Sequence, residues 1–139
     1  MYNKSFTVNK LSEVNNVAKE IASLTKANNL FLFEGEMGSG KTTLINSVVS
    51  TLGVKDSNSP TFSIINTYLG VNSQTIYHVD CYRIEDENEV ENIGLLEIIN
   101  DQNLCFIEWP QKIYNFLPFN CVKVSITVDK GLREINIKI

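Results

Sequence analysis

The sequence predicts an α/β protein, a three-layer domain on a mixed parallel and antiparallel sheet, with residues 1–139 forming one unit. Short apolar runs of strand length alternate with segments of helical period, the pattern of a sheet packed between helices. Two of those runs, at residues 30–33 and 104–107, are continuously apolar, as strands covered on both faces are. The remaining strand-like runs come in pairs separated by turn residues, the mark of hairpins. A chain of 139 residues buries about two-thirds of the surface it exposes when unfolded, enough for one core.

Taken in order, residues 6–8 alternate like a short strand, and Asn9 or Ser12 can cap a helix. That helix carries Leu11, Val14, Val17, Ala18, Ile21, Ala22 and Leu24 on one side and runs to about residue 29. The run at 30–33 enters a glycine-rich loop at Gly35. Leu44, Ile45, Val48, Val49 and Leu52 then mark a second helix, with Gly53 as its stop. Residues 54–60 are turn-like, and the runs at 62–69 and 75–82 form a hairpin around Gly70, Asn72 and Ser73. Glu85, Asp86, Glu87, Glu89 and Glu91 make a solvated acidic face, or else a docking surface for a basic partner. Helical spacing follows at 93–99 around Gly94, and the run at 104–107 ends in Glu108-Trp109-Pro110. Residues 121–128 and 132–139 form a last hairpin around Asp129, Lys130 and Gly131.

Composition excludes several classes of function. Twelve Lys and Arg stand against 16 Asp and Glu, a net charge of −4 that offers polyanions no general field. Stable, unaided nucleic-acid binding is not expected. No apolar run approaches bilayer length and no secretory signal pattern opens the chain, so a cytoplasmic protein without membrane contact is expected. Cys81, Cys105 and Cys121 are odd in number, and each sits in an apolar strand-like run, as buried thiols in a reducing compartment do. Only two arginines occur, Arg83 and Arg133.

The chemistry concentrates in Gly35-Glu36-Met37-Gly38-Ser39-Gly40-Lys41-Thr42, which matches G-x-x-x-x-G-K-[ST] between a buried strand and a helix. The glycines let backbone N–H groups turn inward around phosphate oxygens, and the helix N-terminus favours the anion. Lys41 reaches the β and γ phosphates of a nucleotide, and the Thr42 hydroxyl ligates Mg²⁺. A glycine-rich turn with an incidental lysine is the bland alternative; the four fixed positions match by chance in about 0.5% of such chains.

Mg²⁺ calls for a further oxygen ligand at a strand end, and Asp80 and Glu108 both qualify. One can hold the metal while the other holds a water. With Asp80 on the metal and Glu108 on the water, Glu108→Gln should retain more ATP binding than turnover. Thr61, in Ser59-Pro60-Thr61-Phe62, lies where residues that sense the γ-phosphate sit, or is a strand-start threonine after a proline turn. His78, Asp80 and Tyr82 alternate on one strand and share the face that points at the phosphates, with His78 read as a partly buried structural residue. Trp109 either packs in the core or offers a contact surface.

Together, Gly35 to Thr43, Ser59-Pro60-Thr61-Phe62, His78-Val79-Asp80-Cys81-Tyr82-Arg83 and Glu108-Trp109-Pro110 resemble the TsaE family, also called YjeE. The resemblance covers nearly the whole chain and implies a P-loop NTPase-like fold and a Mg²⁺-dependent ATPase. It implies work with TsaB and TsaD on the threonylcarbamoyl modification of the adenosine beside the anticodon, with tRNA met only through the complex. By position it implies that Glu36, Met37, Gly38, Ser39, Gly40, Lys41, Thr42 and Thr43 bind the phosphates. Thr61 would face the γ-phosphate, and Asp80 and Glu108 would serve metal and water. It also places Leu11 and Arg133 around the adenine.

Two other classes compete. A small nucleotide or metabolite kinase shares the loop but needs cationic lid residues, and the chain has two arginines and no length for a lid. An ATP-sensing module that does not hydrolyse would have no use for both Asp80 and Glu108. Arg83 can point away from the phosphates and Arg133 sits in the last hairpin, so slow hydrolysis is expected until a partner supplies order and charge.

Overall fold

The computed structural model describes residues 2–55 and 63–139. In chain order these form β1 (Asn3–Val8), α1 (Leu11–Leu24), β2 (Leu30–Gly35), α2 (Lys41–Thr51), β3 (Ile65–Leu69) and β4 (Thr75–Asp80). They are followed by α3 (Asn88–Asn92), α4 (Leu95–Asn100), β5 (Leu104–Glu108), β6 (Val122–Asp129) and β7 (Leu132–Lys138). The strands make one sheet in the order β1-β7-β6-β2-β5-β4-β3. β6, β2, β5 and β4 run parallel; on one side β7 pairs antiparallel with β6 and β1 antiparallel with β7, and on the other β3 pairs antiparallel with β4. The fold is therefore the expected α/β arrangement on a mixed sheet.

Side-chain alternation divides the core. One face of the sheet buries Phe31, Phe33, Phe106 and Val124 against α1 and α2. The opposite face buries Leu32, Val79, Cys105 and Ile107 against α3, α4 and the 3₁₀ segment Pro110–Phe116. Every residue of β5 is buried, which explains its unbroken apolar run. This second layer covers only the β2, β5 and β4 part; across β6 and β7 the same face shows Lys123, Thr127, Glu134 and Lys138 to solvent.

Local signals err where tertiary contacts or side chains intervene. β1 starts at Asn3 rather than residue 6, because antiparallel pairing with β7 orders its polar first half. α1 ends at Leu24, short of residue 29. Thr25 Oγ1 donates to the Ala22 carbonyl and Asn28 Nδ2 to that of Leu24, so side chains take the last-turn acceptors. Its N-cap is Lys10, not Asn9 or Ser12. The Glu13 carboxylate reaches back to the Lys10 N–H at 3.0 Å, which gives the cap from the third position. Tyr82 leaves the strand for the 3₁₀ turn Cys81–Arg83, which removes it from the alternation of His78 and Asp80. The expected turn at 54–60, the Phe62 start of the hairpin and Thr61 lie mainly or wholly outside the described residues.

Of the cysteines only Cys105 lies in a strand. Cys81 is buried in the 3₁₀ turn, and Cys121 is half-buried before β6. Burial pushes the Cys81 thiol up to about 12 and raises Cys105 further, while Cys121 rises less steeply. A thiol reagent at neutral pH should therefore label Cys121 first, and the other two only after denaturation. Equal labelling of all three in the native protein would contradict this placement.

Candidate active site

The phosphate loop begins where β2 leaves the sheet. A Cβ on Gly35 would lie 2.6 Å from Ser39 Oγ and 2.8 Å from the Ile126 carbonyl, so only glycine lets the loop fold back this tightly. Gly40 caps α2 at φ 106°, in the left-handed region. The loop is held by the Ser39 N–H on the Glu36 carbonyl, at 3.0 Å, and by Arg133 Nε on the Ser39 carbonyl, at 2.8 Å. The first turn of α2 carries no acidic residue, which leaves its positive end to attract an anion.

Lys41, the first residue of α2, is 5% exposed. Its Nζ donates to the carbonyls of Gly35 and Glu36 at 2.5 and 3.1 Å and lies 4.2 Å from the Trp109 ring centroid. Burial pulls the ammonium below the ordinary lysine value, and the carboxylates of Glu108, Asp80 and Glu36 act against that. Trp109 is placed by a left-handed backbone (φ 56°) directly after β5, with its ring 5.1 Å from that of Tyr82. The sequence left Trp109 open between core and surface; in the fold it covers the site lysine.

Parallel pairing sets Glu108 level with Phe33 on β2 and with Asp80 on β4, so both acids stand at the carboxyl ends of adjacent strands beside the loop. Ligands of open α/β sheets bind in that region. Glu108 is 3% exposed, and the Thr42 hydroxyl donates to its carboxylate, 2.9 Å from each oxygen. His78 Nε2 lies 2.6 Å from Glu108 Oε2. Asp80 is half-buried, and its Oδ1 accepts from the Tyr82 N–H at 3.0 Å. Thr42 thus meets Glu108 rather than Asp80, opposite to the arrangement that puts Asp80 on the metal. His78, read as structural, is in contact with one of the two candidate acids.

A cleft of about 500 Å³ gathers Lys41, Thr42, Asp80, Glu108, Arg83 and Arg133, with Met37 and Gly38 on its rim. Arg83 lines it instead of pointing away. A second cavity, of about 180 Å³, opens beside it between Leu11, Asn9, Thr43, Leu44 and Ile135. Gly40, Thr43 and Arg133 border both spaces, so Leu11 and Arg133, distant in sequence, come together. Glu36 is exposed. Tyr82, expected on the phosphate-facing side, does line the cleft, but from the 3₁₀ turn rather than the strand, whereas Trp109 carried too general a signal in the sequence to be assigned to it.

The oxygen set, the Thr42 hydroxyl beside the carboxylates of Glu108 and Asp80, suits a hard divalent cation such as Mg²⁺, which takes one or two protein oxygens together with phosphate oxygens.

Comparison with known proteins supports the family resemblance. The family described as "Threonylcarbamoyl adenosine biosynthesis protein TsaE" matches residues 8–135. The tRNA threonylcarbamoyladenosine biosynthesis protein TsaE of Rickettsia bellii is 34% identical over 140 residues, covering 99% of this chain and 96% of the relative. That of Bacillus subtilis is 38% identical over 122 residues, covering 86% and 74%. The crystal structure of Bacillus subtilis YdiB superposes with a TM-score of 0.77 at 27% identity, covering 98% of this chain and 84% of that one.

Proposed function

The chain belongs to the TsaE family of tRNA threonylcarbamoyladenosine biosynthesis proteins, and on that premise we propose that it is a Mg²⁺-dependent P-loop ATPase working with TsaB and TsaD. The observation that carries the reading is the contact of the Thr42 hydroxyl with Glu108 next to Lys41, at the start of α2.

In this reading the backbone N–H groups from Glu36 to Thr43 and the Lys41 ammonium hold the phosphates. The base lies in the cavity between Leu11 and Arg133. Thr42 and Glu108 hold Mg²⁺, which when bound offsets charge on the β and γ phosphates. Glu108 is already aligned with the Thr42 hydroxyl, so little reorganisation is needed. Asp80, more open to solvent and one strand further out, orients and deprotonates the attacking water. Thr61, outside the described residues, stays assigned to the γ-phosphate side by family position. We place the protein in the cytoplasm as one ATPase domain that meets tRNA only through the complex; no described helix is long and apolar enough to cross a membrane.

Co-purification with TsaB and TsaD, with and without ATP, tests the partner assignment. Retention by the pair in the presence of ATP is expected. Failure to associate in either condition would contradict it.

A further inference from the structure

Glu108 is held from two sides. The Thr42 hydroxyl has one hydrogen, and its oxygen lies 2.9 Å from both carboxylate oxygens, so this contact alone does not select which oxygen faces the phosphates. The second hold is His78 Nε2, 2.6 Å from Oε2, with both side chains 5% exposed. An ionised carboxylate only accepts, so the hydrogen of this bond sits on Nε2 and the tautomer is fixed.

The other ring nitrogen makes the case. His78 Nδ1 is buried with no hydrogen-bond partner among the described residues. The imidazole sits in β4 level with Phe106 of β5, and burying it with one ring nitrogen unpaired carries a cost. Among the described residues its one polar contact is with Glu108, so the ring's hydrogen bonding serves that carboxylate alone.

We infer that His78 is a positioning residue: its Nε2–H pins Oε2 of Glu108, so that Oε1 and the Thr42 hydroxyl are presented together toward the phosphate side. The inference rests on Glu108 being the metal-side acid. Groups behind a metal ligand that fix its orientation typically alter metal affinity or activity about 10–100-fold.

The test compares His78→Leu, which keeps bulk without a donor, with His78→Gln, whose amide can restore an N–H at similar reach. Binding of N-methylanthraniloyl-ATP is titrated in EDTA and then against Mg²⁺, with circular dichroism as a check on folding. His78→Leu should bind the probe normally in EDTA but need about 10–100-fold more Mg²⁺ for its metal-dependent gain, and His78→Gln should recover much of the loss. Nitrogen-15 spectra of the wild-type imidazole should show the Nε2–H tautomer, which keeps the test decisive if the leucine variant does not fold. An unchanged Mg²⁺ midpoint in a folded His78→Leu, equal shifts in both variants, or an Nδ1–H tautomer would overturn the inference. A wild-type protein that binds the probe with no Mg²⁺ dependence would instead overturn the metal-side reading of Glu108, and the role of His78 with it.

Discussion

Lys41→Ala is expected to weaken ATP binding by about 10²-fold while leaving the fold intact. Two charge-assisted hydrogen bonds from the ammonium to phosphate oxygens are worth roughly 1.5–3 kcal/mol each. Against that, the ammonium must give up the Gly35 and Glu36 carbonyls and the face of Trp109. Bonds from the ammonium to neutral carbonyls return less than bonds to anionic phosphate oxygens, so about 3 kcal/mol of net binding remains to be lost. Stability should change little. Burial already disfavours the charge of Lys41, and the Glu36 carbonyl is in an exposed part of the loop where water can replace the donor, so that only the half-buried Gly35 carbonyl loses a partner. Calorimetric titration with ATP and Mg²⁺ measures the loss, and Lys41→Met separates charge from packing on Trp109. Unaltered affinity and hydrolysis in Lys41→Ala would mean that the loop is not a working phosphate cradle.

The second large effect distinguishes the two strand-end acids. Glu108→Gln keeps an oxygen for Thr42 and His78 but removes the charge. It should lose the Mg²⁺-dependent part of nucleotide binding, and turnover should fall about 10²-fold or more with it. Asp80→Asn should bind ATP and Mg²⁺ nearly as well as the wild type yet turn over about 10²-fold more slowly, as the loss of a general base does. The ordering follows from geometry: Glu108 touches Thr42, whereas Asp80 accepts from the Tyr82 N–H at the edge of the cleft. Normal Mg²⁺-dependent binding in Glu108→Gln, together with its loss in Asp80→Asn, would return the metal to Asp80.

Why this ordering was not legible in the sequence is a matter of topology. The phosphate loop is contiguous, and strand, glycines, lysine and helix signal one another within a few residues, so β2, the loop and α2 could be read directly. Glu108 and Asp80 could be recognised as acids ending strands. Which of them meets Thr42 depends on β5 lying between β2 and β4, although β5 comes last of the three in the chain. The same insertion brings His78 against Glu108, a contact between residues 30 apart that no local pattern encodes. Trp109 reaches Lys41 through a left-handed backbone that its residue type does not suggest. Leu11 and Arg133 are assigned to one end of the site by family resemblance alone; they border the same cavity because β1 pairs with β7, which sets Val8 opposite Arg133.

The cleft of the single chain offers three cations, Lys41, Arg83 and Arg133. In the proposed function Lys41 is committed to holding the phosphates in the ground state, and the Arg133 Nε is committed to the loop carbonyl of Ser39. A cationic side chain at the transferring phosphoryl group is worth about 10³–10⁵ in rate, and a partner can supply it or order the one that does. The most direct measurement is steady-state phosphate release by the protein alone and after addition of TsaB and TsaD, at one fixed salt and Mg²⁺ concentration. Slow release alone, rising by a factor approaching about 10³ with both partners, is the predicted result. Fast release by the isolated protein, unchanged by the partners, would contradict it.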